Sequence, residues 1–160
     1  MGCGKGEAVE FLKNRGFSHI TLSSMVREEA RKRGVSEERE SLMEVGNSLR
    51  ANFGTGVLAK MSLDKINKSN LQDWVIDGIR NPAEIIEIKK TKNTFIIGIQ
   101  TDDLETLVSR IIKRRRAGDS LERVEIIKKI KRELGAGEPE NGQRVEDCME
   151  MVDFMIENNG

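Results

Sequence analysis

Apolar residues along this chain fall into two kinds of run. Short, β-branched clusters recur at 17–22 (FSHITL), 74–76 (WVI), 94–99 (TFIIGI) and 154–156 (FMI). Runs of that length and composition predict buried strands. Between them the apolar positions follow helical spacing. Leu42, Val45, Leu49 and Phe53 make one stripe, Leu58, Met61 and Ile66 a second, and Leu104, Leu107, Val108, Ile111 and Ile112 a third. Each stripe is the buried face of an amphipathic helix.

Start and stop signals place the helices. Ser23 or Ser24 is expected to cap a helix that carries Glu28 and Glu29 early and Arg31, Lys32 and Arg33 late, before Gly34 stops it. Ser36, with Glu38 and Arg39, opens the next, and Gly54 and Gly56 break it from a helix over 57–66. Asn81-Pro82 starts another, running to about Lys90, at a position proline tolerates. A basic helix spans 103–116, a charged one capped by Ser120 spans 121–134, and a short one covers 145–151 after a glycine-rich stretch. Strands alternating with helices predict an α/β fold with a parallel sheet covered on both faces. There is no internal repeat or linker, so 1–160 reads as one domain.

Composition narrows the classes. Lys and Arg total 27, equal to Asp and Glu, and 34% of residues are charged. A balanced surface argues against bulk attraction to nucleic acid or to an anionic membrane. Two cysteines and one histidine, far apart in sequence, can build neither a structural zinc site nor a disulfide framework. No apolar run is long enough for a membrane span or a signal-peptide core, which fits a cytoplasmic protein. Abundant Glu, Lys and Arg beside 4% aromatics would suit a thermophile.

The candidate chemistry begins at the first residues, Met1-Gly2-Cys3-Gly4-Lys5-Gly6-Glu7. A lysine between glycines, at the head of a helix predicted over 7–15, has the form of a phosphate-binding loop. The glycines let successive N–H groups turn toward an anion, the lysine reaches the outer phosphates, and the helix adds its positive end. The pattern G-x-x-x-x-G-K also needs a glycine five residues before Gly4, so the match is half a motif, set against a flexible glycine-rich terminus. Met-Gly-Cys does not satisfy the myristoylation pattern, which wants Ser or Thr where Gly6 stands. Cys3 reads as a small loop-filling residue in preference to a reactive thiol. This loop, Ser23 to Arg27 and Asp77 to Arg80 all lie at carboxyl ends of predicted strands, where parallel sheets bind ligands.

In this arrangement the chain resembles the adenylate-kinase branch of P-loop kinases, and in particular archaeal adenylate-kinase-like and dephospho-coenzyme-A-kinase-like proteins. Gly4-Lys5-Gly6 matches the kinase G-K-G. HITLSSMVR (19–27) aligns without gaps on H-I-S-T-G-D-M-L-R, and Asp77-Gly78-Ile79-Arg80 resembles D-G-F-P-R shortened by one residue. LVSRIIKRR (107–115) resembles the helix leading into the lid, and 152–160 resembles the last strand of dephospho-coenzyme-A kinases. The resemblance spans nearly the whole chain. It implies a P-loop NTPase fold of the nucleoside monophosphate kinase type, three layers α/β/α, with acceptor-binding helices at about 23–68 and a short helical lid at about 114–137. Against the family pattern the first strand and first loop glycine are missing, which implies truncation within the P-loop, with a central strand expected upstream or from a partner chain. Ser23 stands in a stretch that departs from T-G-D, leaving the acceptor base open, and Glu7 stands where a Thr or Ser would sit near magnesium.

The implied activity is ATP-dependent phosphoryl transfer to a small nucleotide-like acceptor, with Mg2+ as cofactor. The alternatives are transfer to the ribose hydroxyl of dephospho-coenzyme A, a regulatory nucleotide-binding P-loop protein, or an inactive fragment. Gly2, Cys3, Gly4, Lys5, Gly6 and Glu7 would hold ATP together with Arg110. Lys5, Arg110, Arg114 and Asp77 would carry catalysis, with Asp77 holding magnesium through water. Arg27, Arg80 and Ser23 would bind the acceptor. Phosphoryl transfer demands neutralised, positioned phosphates more than covalent help, so cations should dominate the site. Ordinary surface charge is the competing reading for each arginine. Arg123 and Arg132 are weaker candidates for closing the lid, and His19 and the methionines at 149, 151 and 155 read as strand and core. Self-association is left open, and no membrane or nucleic-acid partner is expected.

Overall fold

All four predicted strands form, and each pairs in parallel with one partner. The structure, a computed structural model, describes residues 2–101, 103–114 and 122–159. The basic residues Arg115 and Arg116, the Ser120 cap and Leu121 lie outside the described residues. Strand β1 (Ser18–Thr21) pairs with β2 (Trp74–Asp77), setting Ser18 opposite Trp74 and Thr21 opposite Asp77. Strand β3 (Ile97–Gln100) pairs with β4 (Phe154–Glu157), setting Ile97 opposite Phe154. Parallel neighbours need a long crossover, and helices supply it. Helices α2 (Leu22–Lys32), α3 (Arg39–Phe53) and α4 (Val57–Asn67) connect β1 to β2. Helices α6 (Leu104–Arg114), α7 (Arg123–Leu134) and α8 (Val145–Met149) connect β3 to β4. Helix α1 (Lys5–Lys13) precedes β1, and α5 (Pro82–Ile88) follows β2. Among the described residues no ladder joins β2 to β3, so the sheet consists of two separate two-stranded ribbons.

Local sequence explains most element boundaries. Helix α5 begins at Pro82 behind a complete capping box: the Asn81 side chain accepts from Ala83 N, while Glu84 accepts from Asn81 N. Asp103 accepts from the backbone N–H groups of Glu105 and Thr106 at 3.1 and 2.9 Å, which opens α6. Those bonds hold the Asp103 carboxyl below its ordinary range. One expected cap is corrected. Neither Ser23 nor Ser24 precedes α2, because only Thr21 stays extended (φ −116°, ψ 139°) and both serines fall inside the first turn. Ser24 Oγ donates back to Thr21 O at 2.6 Å.

Three apolar clusters hold the elements. Ile20 of β1 packs with Leu22, Met25, Val26 and Ala30 of α2, Val45 and Leu49 of α3, and Leu58 of α4. Ala59, Ile85, Ile88, Ile96 and Cys148 form a second cluster, and Val108, Ile111, Ile126 and Ile130 fix α6 against α7. Each fully buried Leu, Ile or Met contributes about 1.5–3 kcal/mol. Burial in the second cluster, between acidic Glu84 and Asp147, pushes the Cys148 thiol up to about 12, so it stays protonated and inert. No described helix is long and apolar enough to cross a membrane.

Asp153 ties the second ribbon at its start. Its Oδ2 accepts from Ile96 N at 2.7 Å and its Oδ1 from Lys89 Nζ at 2.8 Å, while Asp153 N donates to Ile96 O at 2.8 Å. The Lys89 bond and then the Ile96 N–H hold this carboxyl below its ordinary range. A depressed carboxyl stabilises the fold fully above the unfolded value, near pH 4, and loses that contribution as pH falls through the folded value. The Asp153→Asn chain should therefore melt below wild type at pH 7, with the gap closing as pH falls below the ordinary carboxylate range. Thermal melts across that range check this; a gap independent of pH contradicts it.

Candidate active site

Gly4 sits in the left-handed region (φ 93°) and caps α1, whose first residue is Lys5. A side chain there would be strained by that φ and would also collide with the Asn158 amide, so glycine is required twice over. Asn158 Nδ2 donates to Cys3 O at 3.0 Å, which ties the loop to the chain just beyond β4. Gly2 lies against Leu107 and Ile111 of α6. On the other side Lys5 Nζ lies 3.0 Å from Oδ1 of Asp77, the last residue of β2. The loop thus bridges the carboxyl ends of the two ribbons, with its lysine at the strand-end carboxylate. His19 Nε2 stands 3.9 Å from the second carboxylate oxygen.

Asp77 is suited to a cation. Oδ1 is buried, and the only group set against it among the described residues is a cation, the Lys5 ammonium at 3.0 Å. Among the described residues no group of three or more His, Cys, Asp or Glu side chains is arranged around a metal. A single buried carboxylate oxygen that already faces a cation fits magnesium, which commonly binds through one or two carboxylates, waters and substrate phosphates.

The predicted arginines sit at three places. Arg110 Nη1 donates to Thr101 Oγ1 at 3.2 Å and to Asn158 O at 3.0 Å, so it joins the residue that anchors the loop. Arg114 follows one turn later at the exposed end of α6. Arg27 is exposed and pairs with Glu37 at 3.3 Å, and Ser23 Oγ shares a 2.9 Å bond with Thr21 Oγ1 at the end of β1. Gly78 turns out of β2 at φ 86°, and a Cβ there would meet that same Thr21 hydroxyl at 3.1 Å. Arg80 reaches α7: its Nη1 donates to Glu133 Oε1 at 3.0 Å and to Gln143 Oε1 at 2.8 Å. Glu7 and Gly6 are exposed in the first turn of α1. Arg123 pairs with Glu105 at the surface, and Arg132 with the largely buried carboxylate of Glu138.

The sequence pattern missed the group that fixes the β2–α5 turn. Glu84, wholly buried, accepts from the backbone N–H of Arg80 at 2.8 Å and of Asn81 at 3.1 Å, and from Arg50 Nη2 of α3 at 3.2 Å. Burial pushes this carboxyl up; the Arg50 charge and the two N–H groups partly offset it. Asn81 Nδ2 donates to the carbonyls of Glu140 and Gly142, each at 3.0 Å, so the same turn holds the segment returning from α7. The spacing Asn81-x-x-Glu84 is a readable capping-box signal, whereas nothing local in sequence pairs Arg50 with Glu84.

Two short parallel ribbons under helices, with a glycine–lysine loop at their carboxyl ends, define an α/β P-loop NTPase. The chain belongs to the UPF0200 family of P-loop proteins, and the family model described as an AAA domain matches residues 1–128. A UPF0200 protein of Pyrococcus horikoshii is 30% identical over 163 residues, covering 99% of this chain and 83% of its own length. One of Sulfurisphaera tokodaii is 35% identical over 136 residues, covering 85% of this chain and 74% of its own. One of Methanothermobacter thermautotrophicus is 31% identical over 159 residues, covering 99% and 77%. In fold, TT1252 from Thermus thermophilus superposes with a TM-score of 0.64 at 16% identity, covering all of this chain and 85% of that one.

Removing Glu84 leaves Arg50, 8% exposed, as an uncompensated buried charge. Glu84→Ala should cost about 3–5 kcal/mol, and the double change Arg50→Met with Glu84→Leu should cost clearly less. Urea unfolding measures both. A single-mutant loss within about 0.5 kcal/mol contradicts the role given to the pair.

Proposed function

We propose that this protein is an ATP-dependent kinase that transfers a phosphoryl group to a small nucleotide-like acceptor. The observation that carries the reading is the 3.0 Å approach of Lys5 to Asp77 where the loop meets the strand ends. A P-loop lysine beside a strand-end carboxylate is the pairing that phosphoryl transfer needs: one follows phosphate charge and the other holds the metal's hydration shell. Asp77 would hold magnesium, which would supply neutralisation of the phosphate charge.

The protein's own groups then divide the work. Lys5, half exposed and held by one ion pair, would exchange Asp77 for the outer phosphates of ATP at the N-terminal end of α1. Asp77 would hold magnesium through water. Arg110 and Arg114, one turn apart on α6, follow the donor, and Arg27, Arg80 and Ser23 serve the acceptor. Arg27 would leave Glu37, a surface pair worth roughly 0–1 kcal/mol, for a phosphate that it can grip bidentately.

Among the described residues each two-stranded ribbon leaves strand edges without a ladder, and a further parallel strand could pair there. Fusing an apolar, β-branched strand ahead of the loop should raise the melting temperature, and unchanged melting overturns this part of the reading.

Transfer from ATP to a panel of acceptors, against a control without acceptor, tests the activity. Lys5→Ala should lower turnover by about 10²-fold or more, the usual cost of losing preorganised stabilisation of transition-state charge. Turnover within a few-fold of wild type removes the kinase assignment.

A further inference from the structure

Strand β4 is the open side of its ribbon. Phe154, Met155, Ile156 and Glu157 are all exposed, the first three at 58, 41 and 47%. In β3, by contrast, Gly98 is buried, and Ile99 and Gln100 are partly so. Among the described residues β4 has β3 as its one neighbour. The N–H groups of Phe154 and Asn158 donate to Ile96 O and Gln100 O, so the even-numbered residues turn their backbone groups toward β3. Alternation along the strand then points the N–H and C=O groups of Met155 and Glu157 away from it. Natural sheet edges are blunted by lysine, proline or a bulge. Strand β4 carries none of these: its register with β3 is unbroken, and three of its four residues are apolar. An edge of that kind is a template for another strand.

We propose that β4 pairs with β4 of a second copy of this chain, antiparallel about a two-fold axis at Ile156, to form a homodimer. The inference stands apart from the kinase reading. A two-fold brings the same strand to each copy running the other way, and the contact closes at two chains. The charges choose the register. Centring the axis on Glu157 sets two carboxylates directly opposite, and centring it on Met155 sets Glu157 opposite the partner's Asp153. Like charges so opposed disfavour both. Centring on Ile156 sets Met155 opposite the partner's Glu157, where the two exchange both N–H···O bonds, and symmetry repeats the pair. Ile156 then meets the partner's Ile156 in the closer position between those bonded pairs. In this register Glu157 is also the diagonal neighbour of the partner's Asp153, within reach of a long side chain. Asp153 holds the Lys89 ammonium at 2.8 Å, and Met151 O accepts from the same ammonium at 3.0 Å. An ammonium has three donors, so one is left for Glu157 of the other copy. The pairing also reaches the loop: Asn158, which holds Cys3 O, falls opposite the partner's Phe154. The strands are short, so the interface lies at the small end for specific complexes, under about 1,200 Å², and the dimer is weak and concentration-dependent.

Sedimentation velocity of the full chain, from micromolar to millimolar concentration, measures the association, and a dimer should appear as concentration rises. Met155→Pro removes an outward N–H and no ladder bond to β3, so the fold should survive, as it does with proline on edge strands, while the dimer weakens by about tenfold or more. Ile156→Lys, at a position already 47% exposed, makes the same test without a change to the backbone. Oxidation of Ile156→Cys in air reads the register. Directly opposed residues in that position have Cα atoms about 4.5 Å apart, within disulfide reach, so this chain should link to its own copy. Met155→Cys, opposite Glu157 and not its own counterpart, should stay reduced, and wild type controls for the native Cys3 and Cys148. A wild type that stays monomeric throughout, or a dimer untouched by both Met155→Pro and Ile156→Lys, overturns the proposal. Linkage through Met155→Cys with none through Ile156→Cys overturns the two-fold at Ile156.

Discussion

The tie on which the site depends is the short loop that spans the ends of two ribbons. At one end Cys3 O accepts from Asn158 beyond β4, and at the other Lys5 pairs with Asp77 of β2. Two-stranded parallel ribbons are weak alone, and no ladder joins these two among the described residues. The Lys5–Asp77 pair is not a strong brace either. Its lysine is 54% exposed, and an ion pair so open to solvent contributes about 0–1 kcal/mol. That weakness suits a phosphate site, because a lysine that must move onto a ligand cannot be held by several kcal/mol elsewhere.

The Arg50–Glu84 pair is the opposite case. Both groups are buried, and Glu84 also accepts two backbone N–H groups. Breaking such a pair strands a charge in a low dielectric, so the turn from Arg80 to Asn81 is rigid where the loop is yielding. Arg80 and Asn81 carry that rigidity outward, to Glu133 and Gln143 and to the carbonyls of Glu140 and Gly142. The loop is therefore built on an exchangeable contact, and the turn after β2 on a fixed one.

Much of this architecture was legible in the residues. Apolar clusters located all four strands, and glycines and the Asn81-Pro82 signal bounded the helices, because those cues act locally. Where the reading slipped, tertiary context decided. Strand β3 starts at Ile97 and not at Thr94, since Ile96 N is taken by the Asp153 side chain. The serines after β1 fell inside α2 because the strand continues extended through Thr21. In the candidate site, the loop and Asp77 could be found from spacing at strand ends. The Arg80–Glu133 contact joins residues 53 apart, and Asn158 meets Cys3 across 155. No local pattern encodes either; both follow from which helices the crossovers bring together.

The central claim is that Lys5 and Asp77 form a metal-dependent site for nucleotide phosphates. ATP titration with and without Mg2+, on the wild-type chain and on Asp77→Asn, tests it most directly. Wild type should bind ATP clearly tighter with Mg2+ than without, and Asp77→Asn should lose that difference while still binding metal-free ATP. An Asp77→Asn chain that keeps the full magnesium dependence, or a folded wild type that binds no ATP in either condition, would contradict the account.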